Sequence, residues 1–92
     1  MRTVYSMYFV YIIKSKFDDS LYYGFTGQDV FDRLEDHNKG DCDYTAKHRP
    51  WKLIWFAGFE TKQQAMDFER YLKSGSGKAF ARKRLIENSD RV

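Results

Sequence analysis

The segment Tyr5-Ser6-Met7-Tyr8-Phe9-Val10-Tyr11-Ile12-Ile13-Lys14 is almost continuously apolar and rich in β-branched and aromatic side chains. Such a run suits a strand covered on both faces, and it predicts a central strand over 5–14. Phe17-Asp18-Asp19-Ser20 has the composition of a turn, after which Leu21-Tyr22-Tyr23-Gly24-Phe25-Thr26 resumes a strand pattern, so the two runs read as an antiparallel hairpin. Asp29 is placed to cap a helix from Val30 to about Asn38, closed by Lys39-Gly40. Asp41 to Pro50 is polar and reads as a surface loop. Trp51 to Phe59 is a third strand, with Pro50 just before it, where a missing N–H is tolerated. Thr61 and Gln64 have the spacing of a capping box, which predicts a helix from Lys62 to about Ser74 ended by Gly75-Ser76-Gly77. Lys78 to about Glu87 reads as a last short helix carrying Arg82-Lys83-Arg84, and the residues after it as a frayed tail over 88–92.

Composition narrows this picture. The chain has 92 residues, 42% of them hydrophobic and 18% aromatic, which is enough for one small α+β domain over 1–92 with its core over about 5–87. It is too short for two domains and too rich in aromatic residues for a disordered chain. The single cysteine, Cys42, has no internal disulfide partner, and no paired Cys/His spacing resembles a zinc site. That cysteine usage favours a reducing, cytoplasmic setting. The longest apolar run, Met7 to Ile13, is far shorter than the roughly 20 residues of a membrane helix, so no membrane partner is expected. A net charge of +3 permits a polyanionic partner without demanding one.

The candidate chemistry lies where charged residues fall on apolar stripes. In the helix after the third strand, Ala65, Phe68 and Leu72 mark the face that packs on the sheet, and Glu69 shares it, so a carboxylate is aimed inward. A carboxylate so placed must be paired, protonated or bound to a cation, and an acid–arginine pair at the edge of the stripe meets that need equally well. In the earlier helix, Val30, Arg33, Leu34 and His37 recur at helical spacing, which puts Arg33 and His37 on the edge of the packed face. Tyr11 and Tyr22 lie on the paired strands, and their hydroxyls face one side if the hairpin loop has an even number of residues. Gly24, inside a strand, marks a bulge or the close approach of a backbone or ligand.

An Arg, a His, a Glu and two Tyr on one sheet face contain what metal-assisted phosphodiester hydrolysis needs: a cation for phosphate charge, a carboxylate for a divalent metal and a group that takes a proton from water. Gly24, Tyr44, Lys47, Arg49, Lys73, Lys78 and Arg82 are candidate nucleic-acid contacts, with Trp51, Trp55, Lys83 and Arg84 adding to the aromatic and cationic supply. Each of these taken alone is as well explained by solvated surface or core.

The ordered set resembles the GIY-YIG nucleases, and especially their small single-domain bacterial members. The resemblance runs from Tyr8 to about Leu85. Phe9-Val10-Tyr11 stands where the first family motif ends in tyrosine, and Tyr22-Tyr23-Gly24 stands where the second reads Tyr-Ile-Gly. Arg33 matches the family's arginine, His37 a histidine found in several members, and Glu69 the metal-binding glutamate. The resemblance implies a three-stranded antiparallel β-sheet flanked by helices in the order β-β-α-β-α-α, and hydrolysis of DNA with one divalent metal, Mg²⁺ or Mn²⁺. In that picture Tyr11 is the general base, Tyr22 and His37 orient water or phosphate, Arg33 neutralises the scissile phosphate and Glu69 holds the metal. The implied substrate is double-stranded or branched DNA, with RNA left open, and a structure-selective role in repair or recombination fits a domain that would take further specificity from a protein partner.

The sequence also departs from the family pattern. Phe9, Val10 and Tyr23 replace the usual motif residues, Phe25 follows Gly24 where some members place a lysine, and Ala81 stands where larger members have an asparagine, with Asn88 further on. These departures support a second expectation, a nucleic-acid-binding module without turnover. The aromatic content leaves a third, a protein-interaction domain.

Overall fold

The computed structural model describes residues 7–86. The expectations for Tyr5, Ser6, Glu87, Asn88 and the tail over 88–92 lie outside the described residues. The elements are β1 (Tyr8–Ser15), β2 (Leu21–Thr26), α1 (Val30–Lys39), α2 (Asp43–Ala46), β3 (Trp51–Phe59), α3 (Lys62–Leu72) and α4 (Gly75–Arg84). The three strands form one antiparallel sheet in the order β2-β1-β3. The apolar run of β1 is therefore central, and Val10 to Ile13 are buried without alternation because both faces of the sheet are covered.

Val10, Ile12 and Tyr23 face α3 and α4, where they meet Ala65, Leu72 and Ala81. On the opposite face, Tyr11 and Ile13 pack with Val30 and Trp51, flanked by Leu34 and Leu53. Each fully buried Val or Ile contributes roughly 1.5–3 kcal/mol. No helix among the described residues is long and apolar enough to cross a membrane.

The β1–β2 turn settles which side chains share a face. Ser15 N–H donates to Ser20 C=O at 2.8 Å, enclosing the four residues 16–19, and Asp19 adopts φ 66 to close the turn. An even loop pairs Tyr11 with Gly24 and Ile13 with Tyr22, so the rings of Tyr11 and Tyr22 lie on the α1 side of the sheet. The turn is tied to the segment before β3: Ser15 Oγ donates to His48 C=O at 2.6 Å, and His48 Nδ1 bonds Asp18 Oδ2 at 2.7 Å. Hydrogen bonds from Ser20 and His48 hold the Asp18 carboxyl well below the usual carboxylate range.

Local signals account for most helix ends. Asp29 accepts from Phe31 N–H and Asp32 N–H, and Gly40 in the left-handed region closes α1. Both arms of the Thr61/Gln64 capping box are present at the start of α3. Three expectations are corrected. The segment 41–50 is not all loop, because α2 forms within it and fully buries Thr45. Helix α3 ends at Leu72 rather than Ser74, and α4 begins at Gly75 rather than Lys78. Ser74 caps α4 by accepting from Gly77 N–H at 3.1 Å, so Gly75-Ser76-Gly77 is a first helical turn. Gly77 is required there by space. A Cβ would collide with Tyr71 C=O and lie 2.7 Å from Leu72 Cα.

Strand β3 hides an irregularity in its apolar run. Ile12 pairs with Trp55 while Ile13 pairs with Leu53, so Ile54 is bulged out of register. The bulge turns Trp51 and Leu53 toward α1 and leaves Trp55 facing α3, with its ring centroid 6.0 Å from that of Phe68. Where β3 begins, the Asn38 side-chain amide receives Trp51 N–H at 2.6 Å and donates to Trp51 C=O at 3.1 Å.

Candidate active site

Tyr11, at the centre of β1, is buried with its hydroxyl 2.8 Å from His37 Nε2. The ring of Tyr11 reaches His37 by crossing Gly24 on the neighbouring strand. A Cβ at Gly24 would collide with Cζ and Oη of Tyr11 and lie 2.7 Å from its Cε1. The close approach read from the glycine is thus that of an aromatic side chain, and the ladder at Gly24 runs in unbroken register with Tyr11.

His37 follows Arg33 by one turn of α1. It does not sit at the edge of the packed face as its helical position suggests, but is fully buried between Tyr11 and the short helix α2. Its Nδ1 lies 2.7 Å from Thr45 Oγ1. The Tyr22 ring packs against the imidazole with centroids 5.2 Å apart, and Tyr44, 57% exposed, continues the row at 5.9 Å from Tyr22.

The electrostatics follow from burial and from one guanidinium. Burial pushes the Tyr11 phenol up to about 12, against the opposing effect of Arg33 beside its hydroxyl. Burial also pushes His37 down to about 4, and the Arg33 charge adds to that effect while Asp36 opposes it. At neutral pH the pair is therefore a protonated phenol and a neutral imidazole. Arg33 is partly exposed and lies 3.7 Å from Asp36, which also accepts from Gln28 Nε2 at 3.1 Å.

This depressed imidazole has a consequence for stability. An unfolded histidine titrates near 6.5, so between pH 6.5 and about 4 the unfolded chain binds a proton that the folded chain refuses. Stability contributed by neutral His37 is lost as pH falls through that window, by roughly 3 kcal/mol in total. His37→Gln is expected to remove that portion of the acid loss, as measured by urea unfolding at pH 7, 5.5 and 4.5. An unchanged pH dependence would refute the assignment.

Glu69 is partly buried on the α3 stripe and is paired rather than bare. It lies at the edge of the α3 stripe with its side chain 23% exposed, and pairs with Lys73 one turn on at 3.0 Å. Its negative charge and the positive charge of Lys73 act in opposite directions on the Tyr22 hydroxyl, whose pKa is raised chiefly by burial. Tyr11, Tyr22, Arg33 and His37 thus form one cluster on the α1 side of the sheet, and the charges of Glu69 and Lys73 on α3 are felt at its Tyr22 end.

The other candidate contacts are dispersed. Tyr44 adjoins the cluster through Tyr22, and Lys47 is exposed just after α2. Arg49 is engaged locally, its Nε donating to Ala46 C=O at 2.9 Å and its guanidinium lying over Gly40. Lys78 and Arg82 are exposed on α4, across the sheet from Tyr11, and the Arg82 charge reaches Tyr23 on that face. Sequence reasoning missed Thr45. It was one polar residue in a polar stretch, and the sole hint was its place beside the aromatic Tyr44 in a segment otherwise read as surface.

Several known proteins resemble this chain. Residues 7–84 match the family model described as the GIY-YIG catalytic domain. A UPF0213 protein of Clostridium perfringens is 43% identical over 68 residues, covering 73% of this chain and 71% of that one. The UPF0213 protein YazA of Bacillus subtilis is 42% identical over 67 residues, covering 72% and 66%. A solution NMR structure of a UPF0213 protein from Bacillus halodurans shares 34% identity over 80% of each chain, with a TM-score of 0.48. The chain belongs to the GIY-YIG family.

Proposed function

We propose that the protein is an endonuclease that hydrolyses DNA phosphodiester bonds with the aid of one divalent metal. The observation that carries this reading is the Tyr11 hydroxyl, held 2.8 Å from an uncharged imidazole nitrogen with the Arg33 guanidinium beside it, in a chain that matches a catalytic-domain family over 7–84.

Tyr11 is then the general base. Because its phenol holds its proton far above neutral pH, it acts as a relay: its oxygen takes a proton from water as its own proton passes to His37 Nε2, leaving hydroxide to attack phosphorus and an imidazolium behind. Arg33 neutralises the phosphate, and Tyr22, packed beside both Tyr11 and the imidazole, orients water or phosphate.

Among the described residues no three His, Cys, Asp or Glu side chains cluster as a metal cage. Glu69 offers one hard carboxylate at a half-open edge, which suits Mg²⁺ or Mn²⁺, since Mg²⁺ commonly keeps several waters and takes one or two protein carboxylates plus substrate phosphate oxygens. Lys73 must then release the carboxylate. When bound, the metal supplies charge stabilisation for the phosphate and the departing oxygen. The exposed Tyr44, Lys47 and Lys73 would steer the DNA backbone toward the cluster, and Gly24 serves by admitting the Tyr11 ring. Substrate structure and any role in repair or recombination would come from DNA shape or from a partner.

The test is cleavage of plasmid, single-stranded and branched DNA in Mg²⁺, Mn²⁺ or EDTA. Wild-type cleavage is expected to vanish in EDTA, and Glu69→Gln is expected to lower it by on the order of 10²-fold with DNA affinity retained. Salt-dependent binding without cleavage in either metal would overturn the enzyme reading and leave the binding module.

A further inference from the structure

The buried hydroxyl of Thr45 touches two groups of different kinds. One is the Cys42 carbonyl oxygen at 3.3 Å, which can only accept, and the other is His37 Nδ1 at 2.7 Å, which can donate or accept depending on the tautomer. If the Thr45 proton goes to Cys42, then Thr45 Oγ1 accepts from Nδ1–H. A neutral imidazole carries one N–H, so Nε2 is left with a bare lone pair facing the Tyr11 O–H at 2.8 Å.

The opposite tautomer fails at the far end of the chain. Nε2–H would then point at Tyr11 Oη, which has His37 Nε2 as its hydrogen-bond partner. The proton of the buried phenol would have no acceptor there, and the Arg33 charge that acts on the hydroxyl comes from a group with donors only. A buried donor without a partner is costly. The first tautomer leaves nothing unpaired, and among the described residues no buried side-chain polar atom lacks a partner.

We propose that Thr45 is a positioning residue for this site, fixing His37 with its proton on Nδ1 so that Nε2 receives the proton of Tyr11. The role rests on the endonuclease reading only for its chemical consequence, since the tautomer itself is a property of the protein without substrate. Thr45 is suited to it by position. Its backbone C=O accepts Trp51 Nε1–H at 2.8 Å, which locks α2 to the start of β3, and its side chain is sealed from water that could replace the hydroxyl. After proton transfer the same oxygen still faces Nδ1–H, so the imidazolium formed on His37 keeps its partner.

The experiment reads the His37 ring nitrogens by NMR of ¹⁵N-histidine-labelled protein at pH 7, alongside cleavage. Wild type and Thr45→Ser are expected to show a protonated Nδ1 and a bare Nε2, with cleavage by Thr45→Ser within about threefold of wild type. Thr45→Val keeps the shape without the hydroxyl, leaves Nδ1–H without an acceptor, and is expected to mix the two tautomers and slow cleavage by roughly 10–100-fold, the usual effect of removing an imidazole's orienting partner. A protonated Nε2 in the wild type overturns the proposal without need of any variant, as does a Thr45→Val protein that keeps Nδ1–H alone. A changed tautomer with undiminished cleavage also overturns it. If the wild type cleaves no DNA, the endonuclease reading falls while the nitrogen signals still decide whether Thr45 fixes His37.

Discussion

A Tyr11→Phe protein is expected to fold, to bind DNA as the wild type does and to cleave it roughly 10³-fold more slowly. The ring keeps its packing against Ile13, Val30 and Trp51, so the change is confined to one oxygen. Its loss leaves the buried His37 Nε2 without a partner, which costs about 1–3 kcal/mol of stability. That cost is modest and readable by thermal unfolding, whereas the loss of the proton relay acts on the chemical step. With the phenol at about 12 and the imidazole at about 4, both relay groups keep the same protonation state between pH 7 and 9, so the relay itself should give wild-type cleavage no slope across that range. Cleavage within a few-fold of wild type by a folded Tyr11→Phe protein would remove Tyr11 from the mechanism.

Gly24→Ala is expected to damage stability and cleavage together, although Gly24 bears no functional group. The new methyl group would occupy the space of the Tyr11 phenol end, on an outer strand of a sheet packed on both faces. Relief requires the ring to tilt or the strands to part, and overpacking of this kind costs roughly 1–3 kcal/mol. A tilt of about 1 Å also carries the hydroxyl away from His37, and misplacement on that scale can cost about 10²-fold in rate. Urea unfolding of Gly24→Ala in wild-type and Tyr11→Val backgrounds separates the ring from other causes. If the ring is the obstacle, the stability penalty shrinks in the Tyr11→Val background. An equal penalty in both would show that the backbone, not the ring, needs the glycine.

The strand order, the ends of α1 and the start of α3 were legible because each was written in neighbouring residues. The unbroken run through Val10 to Ile13 fits only a central strand, and Asp29, Thr61 and Gln64 cap helices by contacts that span three residues. What escaped reading depends on partners distant in sequence or on geometry that hydropathy does not encode. A single turn such as Asp43–Ala46 has no period to detect, and its burial of Thr45 depends on His37 eight residues earlier. The bulge at Ile54 is silent because Leu53 to Phe59 carries no charged or polar side chain, leaving no alternation to break. Gly75-Ser76-Gly77 looked like a stop because glycine disfavours helices, but Ser74 caps the turn and the tight approach to α3 demands Gly77. At the site, helical spacing correctly joined Arg33 to His37 but could not give the depth of the imidazole, which is set by the Tyr11 ring beneath it and α2 above.

The two bonds between the Asn38 amide and Trp51 bear on how the molecule meets its own kind. β3 is an outer strand of the sheet, and an outer strand offers peptide groups to any extended chain that drifts alongside. At Trp51 those groups are already spent on a side chain that copies, for one residue, the donor and acceptor of a further strand. Asn38 so acts as a stopper at this end of the sheet, and a second molecule could not extend it there without first prising an amide from the helix.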